Sequence, residues 1–172
     1  MQKYIVIADD LTGSNATCSL LKKIGLRAAS ILKLQNGMKY DADVISYSTG
    51  SRGLDKEEAY KRVSEAIKIL KDKNVLVYNK RIDSTLRGNI GAEINAMLDN
   101  LENDRIAVVV PAYPDSKRIV VNKTMLVNGV LLENSDAGKD PKTPIKTSCV
   151  ETLIQKDCKY SSTYFELADI EQ

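Results

Sequence analysis

The densest concentration of reactive side chains in this sequence is Asn79-Lys80-Arg81-Ile82-Asp83-Ser84-Thr85-Leu86-Arg87-Gly88-Asn89-Ile90-Gly91. It sets cations, a carboxylate, hydroxyls, an amide and glycines between an apolar run and an apolar helical pattern. A loop that only reverses the chain is shorter and less charged. Two other stretches share its character, Asp9-Asp10-Leu11-Thr12-Gly13 and Thr49-Gly50-Ser51-Arg52-Gly53. Together they supply Asp9, Asp10, Thr12, Ser51, Arg52, Lys80, Asp83, Ser84, Arg87 and Asn89. That inventory suits a small polyhydroxylated anion, because a guanidinium fork grips a carboxylate and carboxylates accept hydroxyl hydrogens. Plainer readings stand beside it. Asp9 or Asp10 could cap the following helix, Arg52 could be a solvated loop cation, and at least one of Lys80 and Arg81 is expected only to face water.

Composition removes several chemistries. The 172 residues include no His, which excludes Ser-His catalysis, His-bearing zinc sites and imidazole acid-base work, so proton transfer falls to Asp, Glu, Lys or Tyr. Gly50-Ser51-Arg52-Gly53 lacks the spacing of a phosphate-binding P-loop, and no G-x-G-x-x-G follows the first apolar run. Ala8-Asp9-Asp10-Leu11-Thr12 approaches the D-x-D-x-T of haloacid-dehalogenase-like phosphatases but has Ala8 where the nucleophile belongs. A formal charge of +2, no Trp and one Phe provide neither a nucleic-acid surface nor a base-stacking platform. Cys18, Cys149 and Cys158 match no metal spacing and read as reduced thiols of a cytoplasmic protein, with Cys18 a small helix residue rather than a nucleophile. The N-terminus, apolar but interrupted by Asp9 and Asp10, is neither a signal peptide nor a membrane span.

The elements that must position these residues alternate. Tyr4-Ile5-Val6-Ile7-Ala8 is apolar on both faces, as a buried parallel strand is. A helix follows Gly13, with Thr17, Leu20, Leu21 and Ile24 at helical spacing and Gly25 to stop it. Residues 28–34 and 44–48 read as strands. Asp55 with Glu58 forms a capping-box-like start for a helix whose Ala59, Val63, Ala66, Ile67 and Leu70 share one face. Residues 75–78 are a fourth strand, Ile90, Ile94, Met97, Leu98 and Leu101 a helical stripe, and residues 106–110 a fifth strand ended by Pro111. This alternation predicts an α/β fold, a mainly parallel sheet flanked by helices. The three polar loops then follow strand C-termini, where open α/β sheets bind ligands. Asn128-Gly129 predicts a small β-hairpin excursion near 124–132. Residues 134–147 read as a polar loop, Ser148 and Glu151 as the start of a short helix, and residues 164–167 as a last strand.

At this point the chain resembles the N-terminal, substrate-binding domain of the four-carbon acid sugar kinase family. The matching segments are Ile7-Ala8-Asp9-Asp10-Leu11-Thr12-Gly13, Ser48-Thr49-Gly50-Ser51-Arg52, the stretch 80–91, Val110-Pro111-Ala112-Tyr113-Pro114, Leu126-Val127-Asn128-Gly129-Val130 and Asp140-Pro141, in the family's order. The resemblance implies a two-domain kinase in which this domain holds threonate-, erythronate- or oxo-tetronate-like substrates. A C-terminal nucleotide-binding domain, absent from this chain, would bind ATP and Mg2+. Residues 1–172 are thus expected to be one acid-sugar-binding domain, incomplete at its C-terminal end and inactive alone; the alternative is a noncatalytic small-anion-binding or interaction module, a truncated remnant. By the same resemblance Asp10 would orient or deprotonate the attacking hydroxyl, with Asp83 its rival. Arg52 and Arg87 would hold the substrate carboxylate and the transferring phosphate, with Asp9, Ser51, Lys80, Ser84 and Asn89 completing the substrate contacts. The chain departs from the family's pattern at Ala16, where an Asp is usual, and near Lys117, where a Gly is.

Overall fold

The computed structural model describes residues 3–37, 40–102, 104–166 and 169. Its central strand is β1 (Tyr4–Ala8), with Ile5, Val6, Ile7 and Ala8 all buried. β3 (Val44–Ser48) and β4 (Val77–Arg81) pair in parallel with its two edges, and β2 (Ala28–Ile31) pairs in parallel with β3. The order β2-β3-β1-β4 is the mainly parallel sheet that the alternation predicts. In register, Ala8 lies opposite both Ser48 and Arg81, so three strands deliver their loops at one level.

Helices α1 (Leu11–Lys23), α2 (Lys56–Leu70) and α3 (Ile90–Asn100) alternate with the strands. α2 begins as expected: the Asp55 side chain accepts from the Glu58 amide at 2.8 Å, and Ala59, Val63, Ala66, Ile67 and Leu70 are buried. α1 differs from expectation. It starts two residues before Gly13, and Leu20 and Ile24 face solvent, while Gly13, Ser14 and Cys18 are buried. Polar packing causes this: the Ser14 hydroxyl bonds those of Ser46 (2.7 Å) and Ser30 (3.0 Å), so small side chains draw the helix onto the sheet.

β4 also departs from its expected span of 75–78. It runs on through Lys80 and Arg81, because β1 continues to offer pairing partners and Glu93 of α3 neutralises Lys80. The loop of interest therefore begins at Ile82. The strand expected at 106–110 does not pair: these residues lie outside every strand, with Ile106, Val108 and Val110 exposed. The segment has strand-forming side chains but no described neighbour to complete its hydrogen bonds.

Beyond Pro111 the chain builds a second, antiparallel sheet of β5 (Arg118–Val121), β6 (Thr124–Val127) and β7 (Val130–Leu131). Asn128 and Gly129 take positive φ, 52° and 82°, as the expected hairpin requires. β5 was not expected. Its turn, Asn122-Lys123, reaches positive φ (48° and 65°) without a glycine, which hides it from sequence reading. Lys117 also sits at φ 56°, a conformation that suits the glycine usual near this position in the resembling family. Residues 134–147 are more ordered than a plain polar loop, with a 3-10 turn at Asp136–Lys139 and buried Ala137 and Ile145. α4 (Val150–Gln155) forms, but Cys149 is its N-cap, since the Ser148 hydroxyl instead donates to the Glu133 carboxylate. Residues 164–166 are not a strand, and Leu167 lies outside the described residues.

Two apolar cores result. Ile5, Ile7, Ile45, Val63, Ile67 and Met97 fill the one between the parallel sheet and α2 and α3. Leu86, Ile90, Ile94, Met125, Val127, Leu132 and Ile145 fill the other. α3 contributes to both.

Candidate functional site

The three polar loops meet where the strand order places them. The Asp10 side chain caps α1, its Oδ1 accepting from the Gly13 amide at 2.7 Å, so the plainer reading of this residue as a helix cap holds. Its Oδ2 faces Arg52 Nη1 at 2.8 Å, so one carboxylate serves both the helix start and the cleft. Arg52 grips Asp9 with two prongs, Nε to Oδ2 at 2.7 Å and Nη2 to Oδ1 at 3.1 Å, and approaches Asp83 Oδ1 at 3.6 Å. It is not a solvated loop cation. A single guanidinium ties together the loops after β1, β3 and β4.

The loop after β4 is folded around Asp83. Its Oδ2 accepts from the Thr85 hydroxyl (2.5 Å) and Arg87 Nε (2.8 Å), and Oδ1 accepts from Arg87 Nη2 (3.1 Å). Burial pushes this carboxyl upward, but Arg87, Thr85 and Arg52 outweigh burial and hold it at about 2. Arg87 reaches on to Asp140 Oδ2 at 2.9 Å. Asp140 is itself held at about 2, by the Thr143 and Lys142 amides and then by Arg87. Asp140-Pro141 belongs to the matching segments, but only the fold shows that its carboxylate joins this cluster. Gly88 is required where it sits: its φ is 95°, and an added Cβ would lie 3.4 Å from the Arg52 backbone.

Both expected anion-gripping cations are thus already paired, among four carboxylates, Asp9, Asp10, Asp83 and Asp140. Of the three around Arg52, Asp9 is 3% exposed, Asp83 8% and Asp10 27%. Asp10 is the most exposed of the three.

Three expected contacts lie beneath the cleft. Lys80 is sealed against Glu93 (Nζ to Oε2 2.7 Å), and the buried Ser51 hydroxyl donates to the other Glu93 oxygen while bonding Thr49 at 2.7 Å. Asn89 Nδ2 donates to the Ser51 and Leu54 carbonyls, at 3.2 and 2.9 Å, clamping the loop after β3 onto the start of α3. Ser84 remains partly exposed, with no side-chain hydrogen bond to a described residue. Glu93 was missed by sequence reading. Its signal was a carboxylate three residues after Ile90 and one before Ile94, within an apolar helical stripe. Arg81 was passed over beside Lys80. It is partly exposed, its stem lies 3.3 Å from where a Gly13 side chain would begin, and it has no ion-pair partner among the described residues. Cys18 is one of the buried residues of α1, and its burial pushes the thiol up and agrees with a packing role.

The fold and these contacts define an α/β domain with a cluster of carboxylates and guanidinium groups at the carboxyl edge of a parallel sheet, the edge at which open α/β sheets bind ligands. A profile of the sugar-binding N-terminal domain family matches residues 4–172, and the chain belongs to that family. It is 45% identical to a D-erythronate kinase of Heliobacterium modesticaldum over its whole length, covering 40% of that protein. It is 39% identical to a D-threonate kinase of Salmonella typhimurium, with 88% of this chain and 36% of that protein aligned. Among solved structures, a domain of unknown function from Bordetella bronchiseptica, a domain-swapped dimer with bound citrate, superposes with TM-score 0.82 at 31% identity, over 88% of this chain and 39% of the other. The chain spans about 40% of the length of the first two curated relatives.

Proposed function

We propose that this chain is the substrate-binding part of an ATP-dependent kinase that phosphorylates a hydroxyl of a four-carbon acid sugar of the erythronate, threonate or oxo-tetronate type. The observation that carries the proposal is Asp10, partly exposed at the carboxyl edge of the sheet and fixed at one oxygen by the α1 amide and at the other by Arg52. A carboxylate held in this way can orient a sugar hydroxyl and take its proton as the phosphoryl group arrives. The names of the relatives and the citrate, a hydroxy acid, bound by the Bordetella bronchiseptica protein support the substrate class. Arg81, which has no carboxylate partner among the described residues, supplies the charge for the substrate carboxylate. Arg52 and Arg87 shape the cleft and hold its acidic groups, Ser84 lines the rim, and Ser51, Lys80 and Asn89 support it from below.

Phosphoryl transfer is largely positioning and charge stabilisation, so holding the acceptor is a full share of the task. The described residues do not fit ATP or Mg2+. They include no phosphate-cradling glycine loop and no grouping of three metal-ligating side chains, and the cleft carboxylates are paired to arginines. We assign nucleotide and metal to a C-terminal domain in the portion that the relatives carry beyond the matched region. No helix among the described residues is long and apolar enough to cross a membrane, and the three free cysteines agree with a cytoplasmic setting.

Isothermal titration of the chain with D-erythronate, D-threonate and succinate tests this. The hydroxy acids should bind and succinate should not. Asp10→Asn, which keeps a good helix cap, and Arg81→Ala should each weaken binding by at least about tenfold, the worth of one charged hydrogen bond. Absence of heat with every four-carbon hydroxy acid overturns the proposal.

A further inference from the structure

The outer edge of β4 and the unpaired segment 106–110 form the two walls of a groove of about 580 Å3. Its floor is α3, through Ile90, Ile94, Met97 and Leu98, and Leu76 and Val77 continue the wall of β4. Leu76 and Val77 are 64% and 50% exposed, and Ile106, Val108 and Val110 are 85%, 78% and 75% exposed. A largely exposed run rich in β-branched residues and ending at a proline is strand sequence without a sheet.

The backbone makes the same point. β4 pairs only with β1 among the described strands, and residues 106–110 make no backbone hydrogen bond with any described residue. Unpaired strand edges beside exposed apolar side chains are a template for strand addition. The connection from β4 through α3 to residue 106 has the strand–helix–strand order whose crossovers are right-handed, and on that rule 106–110 is expected to run parallel to β4. A helix floor with two parallel walls accepts one extended segment of about five residues, about 16 Å long, running parallel to both. Since α3 covers one face and a parallel interior strand is usually covered on both, that segment must be apolar on both faces.

We propose that this groove is the seat of an additional β-strand, contributed by the portion of the polypeptide that follows the matched region in the longer relatives. The chain covers 40% of the Heliobacterium modesticaldum protein, and the matched family is by description an N-terminal domain, so such a portion exists in that protein and lies after the aligned residues. With the strand in place the sheet grows from four strands to six, in the order β2-β3-β1-β4-new-106–110, and the exposed valines become interior. Lys80 and Arg81 line the groove as residues of β4, but the inference uses none of the ionic contacts of the cleft and stands whether or not an acid sugar is the ligand.

Hydrogen exchange read by mass spectrometry tests it on two proteins: this chain, and this chain joined to the remainder of the Heliobacterium modesticaldum D-erythronate kinase. Amides of residues 77–81 and 106–110 should exchange at least about 100-fold more slowly in the joined protein, as interior strands do relative to open edges. The pair Ile106→Lys and Val108→Lys gives a second reading. It should leave the melting temperature of the chain alone unchanged, because both side chains are in water there, and lower that of the joined protein. Unprotected 106–110 amides in the joined protein, or a joined protein indifferent to the two lysines, overturns the proposal. Concentration-dependent protection of these amides in the chain alone, with a dimer in sedimentation, would make a second copy the occupant and overturn it equally.

Discussion

Lys80 and Arg81 are neighbours at the end of β4, yet one is enclosed with Glu93 and Ser51 while the other is partly exposed beside Gly13. The same contrast separates two ionic clusters. In the inner one, a lysine 9% exposed meets a glutamate 1% exposed, with hydroxyls completing the carboxylate's hydrogen bonds. In the outer one, Arg52 and Arg87 hold four aspartates around a cleft that solvent enters. A buried pair is weak evidence for stability compared with an apolar replacement, but breaking it leaves a charge that water cannot reach. The inner cluster therefore fixes how α3 sits on the sheet. The outer one fixes three loops relative to each other and leaves Asp10 and Arg81 available.

Removing Glu93 should break that contrast most severely. Glu93→Ala strands the Lys80 ammonium in the interior and should lower unfolding free energy by about 3–5 kcal/mol in urea denaturation. Replacing both partners, Lys80→Met with Glu93→Met, should recover most of it. A loss below about 1 kcal/mol for the single variant would show that the pair does not hold the fold.

The outer cluster should reveal itself by pH. Asp83 sits at about 2 in the folded chain against an ordinary 3.8. A depressed carboxyl contributes stability that is complete above its unfolded value and lost as pH falls through its folded one. The Asp83 share, about 2 kcal/mol, should thus be present above pH 4 and disappear toward pH 2. Asp140 titrates in the same window and steepens the fall. Asp83→Asn, followed by calorimetry between pH 2 and 5, should flatten it; an unchanged slope would contradict the assignment.

A position outside both clusters calibrates the scale. Lys117→Gly relieves a left-handed lysine and should raise stability by about 1 kcal/mol in the same denaturation assay. Arg81→Ala should do least of all to the fold, within about 0.5 kcal/mol, because no described ion pair is lost. A large destabilisation there would place Arg81 with Lys80 as part of the framework and remove it from the cleft.

Much of the parallel sheet was legible because period and punctuation agree: Asp55, the α2 face and the β1 run each state one structure at every level. The convergence of the three loops followed from strand order alone. Which loop side chains stay exposed did not follow, because burial is set by neighbours distant in sequence. Ser51 and Lys80 look like ligands until Glu93, 42 and 13 positions away, comes to meet them. Arg81 looks like surface until α1 begins beside it. β5 was hidden by a turn without glycine, and 106–110 reads as a strand from its own side chains although no described strand lies beside it to pair with.

Leu86 gives the cleft loop a further property. It is a bulky residue at φ 57°, and its 2%-exposed side chain belongs to the apolar core shared by α3 and the antiparallel sheet. Such a conformation costs of order 1 kcal/mol or more and persists only while its surroundings enforce it. The segment that presents Arg87 and Asp83 is thus moored to one half of the molecule while Arg52, which meets it, arises from the other. Opening fluctuations of the antiparallel half would release Leu86 and scatter the cleft with the parallel sheet still intact. The exchange rates of residues 85–87 should therefore follow those of β6, not those of β1. Whatever seats or loosens the antiparallel half should set the fraction of time the Asp83–Arg87–Arg52 contacts are formed.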